Sequence, residues 1–185
     1  MSSTFTCINT IVWIAFFAAL IAVSAFISFP LGPIPFTLQS LSISLTGLCI
    51  GGKRAALCVI LYIFAGCIGL PVFAGGKAGP GVLLSPTGGY LIGFIGLAYL
   101  TGFGSGHNKN CPPKKAITIL FMSLGLAVTY FCGATGLMWV LSFSPTKAIL
   151  TGVLPFLPGD ILKLVIAFAI WKYLLKKGLL PNDPA

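Results

Sequence analysis

The chain has 185 residues, of which 57% are apolar and 7% are charged, and its mean hydropathy is +1.06. Soluble domains carry about 25% charged residues, so this composition excludes an ordinary soluble fold and predicts an integral membrane protein. The apolar runs are long and hold few charges, which favours helices over barrel strands. The net charge of +9 comes from basic residues that are scattered or stand at the ends of apolar runs. This distribution does not indicate nucleic-acid binding.

Six apolar runs predict an all-α bundle of six transmembrane helices in a single transmembrane domain. Their approximate bounds are 8–29, 38–50, 55–70, 87–103, 116–141 and 158–175. The first run has no Lys or Arg before it, so we interpret it as a retained span and not as a cleaved signal peptide. Thr87 is a candidate cap for the fourth helix. The fifth run is long enough to be tilted or broken near Gly133–Gly136. Residues 143–157 are expected to form a connector.

The basic residues are distributed unequally between the two sides that six spans define. Lys77 and Lys147 fall on one side, and Lys163 lies within the sixth span. The other eight share the opposite side, and they are Lys53, Arg54, Lys109, Lys114, Lys115, Lys172, Lys176 and Lys177. Because cytoplasmic loops are enriched in Lys and Arg, we expect both termini to be cytoplasmic.

The remaining residues that could carry chemistry predict neither a metal site nor a nucleotide site. The six cysteines include no CxxC pair and mostly lie in apolar runs, so we expect no disulfide and no metal site; they are Cys7, Cys49, Cys58, Cys67, Cys111 and Cys132. His107 lies in a polar loop and is expected to be solvated. The stretch from Gly47 to Lys53 approaches a phosphate-binding loop. Arg54 stands where that pattern needs Ser or Thr, and no strand precedes it, so we reject this site.

Small residues recur at helical spacing in the first span. Ala15 and Ala19, and likewise Ala18 and Ala22, are four residues apart. This spacing allows helices to approach closely. It indicates either packing inside the protein or a docking face for another membrane subunit, and the spacing does not distinguish the two.

Two irregular segments interrupt the helices. Residues 30–37 contain three prolines in six positions, which predicts an ordered, apolar loop or re-entrant cap. Residues 71–86 are rich in Gly but barely polar, unlike a flexible linker. Such a loop either packs over a ligand with its backbone close by or simply folds onto the bundle.

Asp160 is the one acidic residue inside an apolar run, and Lys163 follows it by one helical turn. A charge at membrane depth costs roughly 2.5–3.5 kcal/mol even on insertion scales. The pair either only holds this helix against its neighbours or marks a functional site, and intramembrane ionisable groups favour a functional site. Both irregular segments share the outer side with the start of the sixth span. We therefore expect an outward-facing site near Asp160 and Lys163.

Four separated motifs carry a family resemblance: 33–39 (PIPFTLQ), 69–76 (GLPVFAGG), 81–94 (GVLLSPTGGYLIGF) and 157–163 (LPGDILK). In order and spacing they resemble the BioY family, and the likeness extends from about Ala15 to Lys163. That family comprises the biotin-specific substrate-capture subunits of energy-coupling factor transporters. Ser85 stands where the family more often has Gly, and Ser40 where Thr is commoner.

The resemblance implies a six-helix biotin-binding protein in the cytoplasmic membrane of a prokaryote. Its implied partners are the lipid bilayer, a transmembrane coupling subunit and two ATPases. Biotin would be the transported substrate, and no cofactor is implied. Ala15, Ala18, Ala19 and Ala22 resemble the family's AxxxA docking face.

Biotin presents a ureido ring with two N–H donors and one C=O, an apolar thiophane ring and tail, and a carboxylate. Asp160 is suited to accept ureido N–H groups in charge-assisted hydrogen bonds. Lys163 is suited to the ureido oxygen or to the carboxylate, and the sequence leaves both open. The other expected contacts are apolar walls from Phe36, Phe73 and Tyr90, and hydrogen bonds from Gln39, Thr87 and the backbone of Gly75 and Gly76. Each aromatic residue is also explained by packing alone.

Other functions remain as alternatives. The chain could be a solitary biotin carrier without ATPases, a capture subunit for another vitamin, or a purely structural membrane subunit. A membrane enzyme is disfavoured, because it would need clustered His, acidic or Arg groups. The sequence offers one loop His, one acidic residue in an apolar run and one Arg. We therefore predict that the protein is not an enzyme.

Overall fold

The computed structural model describes residues 2–106 and 114–180, with side chains from Ile8 onward, and this part of the chain is mostly helical. The helices are α1 Ser2–Phe26, α2 Gln39–Ile50, α3 Gly52–Cys67, α4 Gly88–Gly104, α5 Lys115–Leu141, α6 Pro145–Gly152 and α7 Leu157–Lys177. Two strands, β1 Ser28–Leu31 and β2 Ile34–Thr37, pair antiparallel. The predictions for His107, Lys109 and Cys111 concern residues outside the described ranges, and the side chain of Cys7 is not described either.

The proline-rich segment after α1 forms a β-hairpin, whereas its prolines predicted an ordered, apolar loop or re-entrant cap. Gly32 has a φ of 71° and precedes Pro33 in a two-residue turn. A positive φ at the first turn position is what a type II′ hairpin turn requires. Pro30 pairs with Pro35, which a two-stranded sheet tolerates because both strands are edges. The hairpin therefore ends α1 at Phe26, three residues earlier than expected.

Helix lengths differ more than the six predicted spans suggest. Within residues 2–106 and 114–180, α1 from Ile8 and α5 are each long and apolar enough to cross a membrane. Helices α6 and α7 are bent by 51° at their break, and they pass the same test if the pair is counted as one span. Helix α2 has 12 residues, or roughly 18 Å, against a hydrocarbon thickness of about 30 Å. The fold is thus a helical membrane bundle whose helices are unequal in length.

The α4–α5 pair packs through glycines. A Cβ on Gly93 would lie 2.6 Å from Thr129 Cα, and one on Gly89 would collide with the Cys132 carbonyl. Thr129 Oγ1 also donates a hydrogen bond to the Gly93 carbonyl at 3.2 Å. Small residues thus allow two backbones to approach closely where apolar burial from water is not available as a driving force.

The structure refines two predictions in the C-terminal half of the chain. Helix α5 is continuous from Lys115 to Leu141, so a break at Gly133–Gly136 is wrong, because these glycines accommodate Tyr90 and Gly89 of α4. A tilted α5, the alternative, stays a prediction. The predicted connector 143–157 contains helix α6, which starts at Pro145 behind the N-cap Ser144. Proline is favoured at a first helical position, since its missing N–H is not needed there.

The bundle has one strongly basic end. Gly52, at the start of α3, lies against the backbone of Phe103, and Thr118 near the start of α5 donates to the Gly104 carbonyl at 2.8 Å. These contacts bring the first turns of α3 and α5 together beside the end of α4. We call this the basic end, and its residues are Lys53, Arg54, Lys114, Lys115, Lys172, Lys176 and Lys177. The hairpin, the α3–α4 loop and the start of α7 meet at the opposite end.

Candidate functional site

Asp160 lies in the first turn of α7 and is 8% exposed. Its Oδ1 accepts hydrogen bonds from Ser40 Oγ at 2.7 Å and from Lys163 Nζ at 2.8 Å. Its Oδ2 accepts from the Tyr130 hydroxyl at 2.7 Å. These donors come from α2, α7 and α5, so one buried carboxylate joins three helices. Hydrogen bonds to an ionised acceptor are roughly twice as strong as neutral ones.

Lys163 lies one turn further along α7 and is 5% exposed. Besides its ion pair with Asp160, its Nζ donates to the Thr37 carbonyl of β2 at 2.6 Å. The same atom lies 3.4 Å from the centroid of the Phe36 ring, in a cation–π arrangement. The ammonium group thus connects α7 to the hairpin through a carbonyl and an aromatic face.

Phe36 is held in this position by residues at and just before the start of α7. Its ring stacks on Phe156, with 6.1 Å between ring centroids and 26° between planes. A Cβ on Gly159 would lie 2.5 Å from Phe36 Cζ, so any larger residue there would displace the ring. The Pro158-Gly159-Asp160 segment therefore supplies the carboxylate and, through Gly159, leaves room for the Phe36 ring beside it.

A second polar network starts at Gln39, at the beginning of α2. Its Nε2 donates to the Tyr62 hydroxyl at 2.9 Å, which in turn donates to the Val72 carbonyl at 3.2 Å. Its Oε1 accepts from Thr37 Oγ1 at 3.1 Å. The Tyr62 ring also packs edge-on against Phe73, with 5.6 Å between centroids. Gln39 thus connects the hairpin, α3 and the loop after α3.

These elements enclose a cavity of about 70 Å³, several times the roughly 10–15 Å³ that one water requires. Seven of the nine predicted binding residues line it, namely Phe36, Gln39, Phe73, Thr87, Tyr90, Asp160 and Lys163. The prediction that the two irregular segments converge on the start of α7 agrees with this arrangement. A mostly apolar cavity with a few fixed polar groups is the form expected of a small-molecule site.

Gly75 and Gly76 do not line the cavity, although Ala74 and Lys77 beside them do. Their φ values are 72° and 73°, in the left-handed region that favours glycine. Together with the hydrogen bond from Phe73 N to the Lys77 carbonyl, at 3.1 Å, they form a tight turn. In the structure these glycines shape the loop and place Phe73, which is 1% exposed, against the cavity.

Tyr90 and Thr87 line the cavity while bonding elsewhere. The Tyr90 hydroxyl donates to the Gly152 carbonyl at 2.7 Å, which fastens α6 to α4. Thr87 Oγ1 lies 2.8 Å from Ser85 Oγ, and its side chain makes no capping hydrogen bond to α4. The prediction that Thr87 caps α4 is therefore wrong, because its hydroxyl is paired with Ser85.

Sequence reasoning missed three polar residues of the site. Ser40 drew attention only as a departure from the family pattern, and Tyr130 and Tyr62 were not singled out. Ser40 follows Gln39 at the start of a helix that is unusually rich in buried polar residues, which is a usable signal. Tyr130 lies inside the long apolar run of α5, where nothing in the local sequence separates it from a packing residue.

The alanines of α1 lie at the margin of the bundle. Ala15 and Ala19 are exposed, whereas Ala18 and Ala22 are half-buried and pack against the core. Ala18 and Ala22 therefore pack internally, whereas Ala15 and Ala19 lie on the accessible surface of α1.

Other ligand chemistry is sparse in the described part of the chain. Residues 2–106 and 114–180 contain no cluster of three His, Cys, Asp or Glu side chains that could hold a metal ion. Within the same ranges, Cys49, Cys58, Cys67 and Cys132 are free thiols.

The fold and the site define a multi-pass helical membrane protein with a small-molecule cavity at one end, floored by a buried ion pair. The sequence matches the BioY family over residues 1–178. The chain belongs to the BioY family.

Individual relatives agree with this assignment. The chain is 42% identical to the biotin transporter BioY of Thermotoga maritima over 157 residues, covering 83% of this chain and 88% of that protein. It is 37% identical to the biotin transporter BioY of Rhizobium etli over 161 residues, covering 83% and 86%. Its structure is similar to the crystal structure of the S-component for biotin from an ECF-type ABC transporter, with a TM-score of 0.82 and 28% identity over 91% of this chain and 92% of that one.

The Tyr130 hydroxyl should contribute measurably to stability. Tyr130→Phe removes the donor to Asp160 Oδ2 and leaves a buried carboxylate oxygen unpaired, at a cost of about 1–3 kcal/mol. For a chain of this size, each kcal/mol corresponds to roughly 2–4 °C in Tm. Thermal unfolding of the purified protein in detergent measures the shift. Tyr99→Phe is the matched control, because Tyr99 is exposed on α4, and equal shifts in both variants would contradict the prediction.

Proposed function

We propose that this protein binds biotin in the Asp160–Lys163 cavity and serves as the substrate-capture subunit of an ECF-type ABC transporter in the cytoplasmic membrane of a prokaryote. The observation that carries the proposal is the buried carboxylate and ammonium pair facing an apolar cavity, in a chain whose relatives are named biotin transporters. The similar S-component for biotin supports the ECF assignment. Biotin is the transported substrate, and the function requires neither a bound cofactor nor catalysis.

The carboxylate of Asp160 has capacity for one further donor. An ionised carboxylate offers about four lone-pair sites. Among the described residues, Ser40 and Lys163 occupy two sites on Oδ1, and Tyr130 occupies one on Oδ2. The open site on Oδ2 is suited to a ureido N–H of biotin, and the three existing donors keep the carboxylate oriented for it.

Lys163 also has capacity for a ligand. Its ammonium group has three N–H donors, and the Thr37 carbonyl and Asp160 Oδ1 account for two of them. No other described residue accepts a hydrogen bond from the third, which is suited to donate to the ureido oxygen or to the biotin carboxylate. The Phe36 ring beneath the ammonium group limits its motion, so the donor is oriented before the ligand arrives.

The remaining predicted contacts fit the rest of the ligand. The rings of Phe36, Phe73 and Tyr90 line the cavity and suit the thiophane ring and the tail. Gln39 retains one amide N–H beyond its bond to Tyr62, and Thr87 offers its hydroxyl. The loop of residues 71–86 lies over the cavity through Phe73 and Lys77, which suits a lid that closes on bound biotin.

The Asp160–Lys163 pair should be required for binding and not for folding. Asp160→Asn should weaken biotin binding at least tenfold, or by about 1.4 kcal/mol, because the ureido donor loses a charged acceptor. Asp160→Leu combined with Lys163→Leu should leave a folded protein without biotin binding, since an apolar pair can replace a buried ion pair with little loss of stability. Equilibrium binding of labelled biotin to purified protein measures both effects.

Lys147→Leu serves as the control, because Lys147 lies on α6 outside the cavity lining. Wild-type affinity in the double variant would mean that the pair is structural and that biotin binds elsewhere. The methyl ester of biotin separates the two roles open to Lys163. If Lys163 binds the carboxylate, the wild type should bind the ester more weakly than it binds biotin, and Lys163 should not contribute to the affinity for the ester.

The six predicted spans, with both termini cytoplasmic and the cavity facing outward, form the topology that we propose. It is supported by the basic end of the bundle, which is opposite the cavity. In a cysteine-free background, Lys77→Cys should react with a membrane-impermeant maleimide added outside intact cells. Lys53→Cys is the matched control and should react only after the cells are opened. The reverse pattern would contradict the topology.

We also propose that Ala15 and Ala19 form the docking face for a transmembrane coupling subunit, which couples the protein to two ATPases. Both residues are exposed, and small side chains permit a partner helix to approach closely. Ala19→Trp should prevent co-purification with the coupling subunit and abolish uptake while leaving biotin affinity unchanged. Ile92→Trp, at an exposed position of α4, should preserve the complex. Normal yield of the complex with Ala19→Trp would exclude this face.

A further inference from the structure

An apolar groove of about 550 Å³ runs between α5 and α7 on the outside of the bundle. Its walls extend from Ile119 to Tyr130 on α5 and from Leu157 to Phe168 on α7. Ser123 and Tyr130 supply the polar side chains of this lining, and the Tyr130 hydroxyl is bonded to Asp160. The groove is separate from the biotin cavity, but the two share Leu126 and Tyr130 as a common wall.

The groove matches one leaflet of a bilayer in depth. Eleven helical steps on each wall correspond to roughly 16 Å. That is about half of the 30 Å hydrocarbon thickness. Ile119, Ile161 and Val165 on its rim are 51%, 51% and 59% exposed, so the groove opens toward the surrounding membrane. An extended hydrocarbon chain has the length and chemistry to fill it.

Lysines stand at one mouth of the groove on both helices. Lys115 precedes Ile119 by four residues, and Lys172 follows Phe168 by four, which places each lysine on the groove side of its helix. Both are exposed at the basic end. Within the described residues, Asp160 is the sole carboxylate, and it lies at the opposite end of the groove beside Tyr130. The charge at this mouth therefore complements an anionic headgroup.

We propose that the α5–α7 groove binds an anionic phospholipid, with one acyl chain between the helices and the phosphate beside Lys115 and Lys172. Because the groove and the biotin cavity share a wall, the chain closes the cavity on its membrane side. This proposal does not rest on the proposed function, because lipid binding to the groove can be measured in the absence of biotin.

The test uses purified protein and two lipids with the same dioleoyl chains, phosphatidylglycerol and phosphatidylcholine. Native mass spectrometry counts the lipids retained after detergent exchange. The wild type should retain one phosphatidylglycerol in preference to phosphatidylcholine. Lys115→Ala with Lys172→Ala should lower the affinity for phosphatidylglycerol by roughly fivefold per lysine. Lys53→Ala is the control, because it removes a lysine from the same end on a helix outside the groove.

A second variant fills the groove itself. Ala127 is exposed and lines the groove, so Ala127→Trp should eliminate retention of the lipid without disturbing the core. Leu124→Trp places the same bulk at an exposed position of α5 outside the groove lining and should retain it. If Ala127→Trp does not give monodisperse protein, Ser123→Phe narrows the same groove.

Three outcomes would overturn the proposal. The first is equal retention of both lipids by the wild type, which would indicate ordinary bilayer contact. The second is unchanged retention in the lysine and groove-filling variants. The third is efficient crosslinking of Ser123→Cys, in native membranes, to a second copy or to another subunit, which would show that a protein helix occupies the groove.

Discussion

The candidate site depends on one carboxylate that is buried among the helices. Asp160 is tolerated there because Ser40, Tyr130 and Lys163 each donate to it at 2.7–2.8 Å. An unpaired ionised group in the same place would be very costly, since its loss of solvation is not compensated by a partner. Helix α7 is therefore held in register against α2 and α5 by polar geometry as well as by packing. A shift of α2 or α5 would leave the Asp160 carboxylate without a donor, so the carboxylate favours one arrangement of the helices at this end of the bundle.

The same requirement explains why irregular elements surround the site. The β-hairpin offers the Thr37 carbonyl to Lys163 and lays Phe36 under the ammonium group, and a helix has no free carbonyl at such a position. In the α3–α4 loop, Gly75 and Gly76 adopt left-handed backbone conformations, and the resulting turn places Phe73 against the cavity. Non-helical backbone at this depth is tolerated where it is buried in protein or lines a cavity. The segments that break the helical pattern are thus the segments that build the site.

The two ligands that we propose, biotin and an anionic phospholipid, occupy different sites, the cavity and the groove. Biotin would bind beside Asp160 and Lys163, whose charges already compensate each other. Its binding would therefore not leave an uncompensated charge in the cavity. The lipid would meet apolar walls and two lysines that have no carboxylate nearby among the described residues. Tyr130 stands between the two sites, with its ring on the groove and its hydroxyl on Asp160. Tyr130 therefore connects the groove on the outside of the bundle to the floor of the cavity.

The sequence by itself determined the class of protein, the family and seven of the residues that line the cavity. Composition and hydropathy report membrane burial directly, and a lone Asp–Lys pair in an apolar run is conspicuous because charges are expensive there. The tertiary structure alone decided which donors satisfy Asp160. Ser40 and Tyr130 lie 120 and 30 residues from it in the chain. The local sequence around a hydroxyl in an apolar helix does not indicate which distant group it will bond to. It also decided the form of the proline-rich segment and the continuity of α5, because strand pairing and glycine contacts between helices depend on residues distant in sequence. Local propensity fixes where a helix can begin or end, whereas the pairing of polar groups in a buried site is settled only when the helices pack.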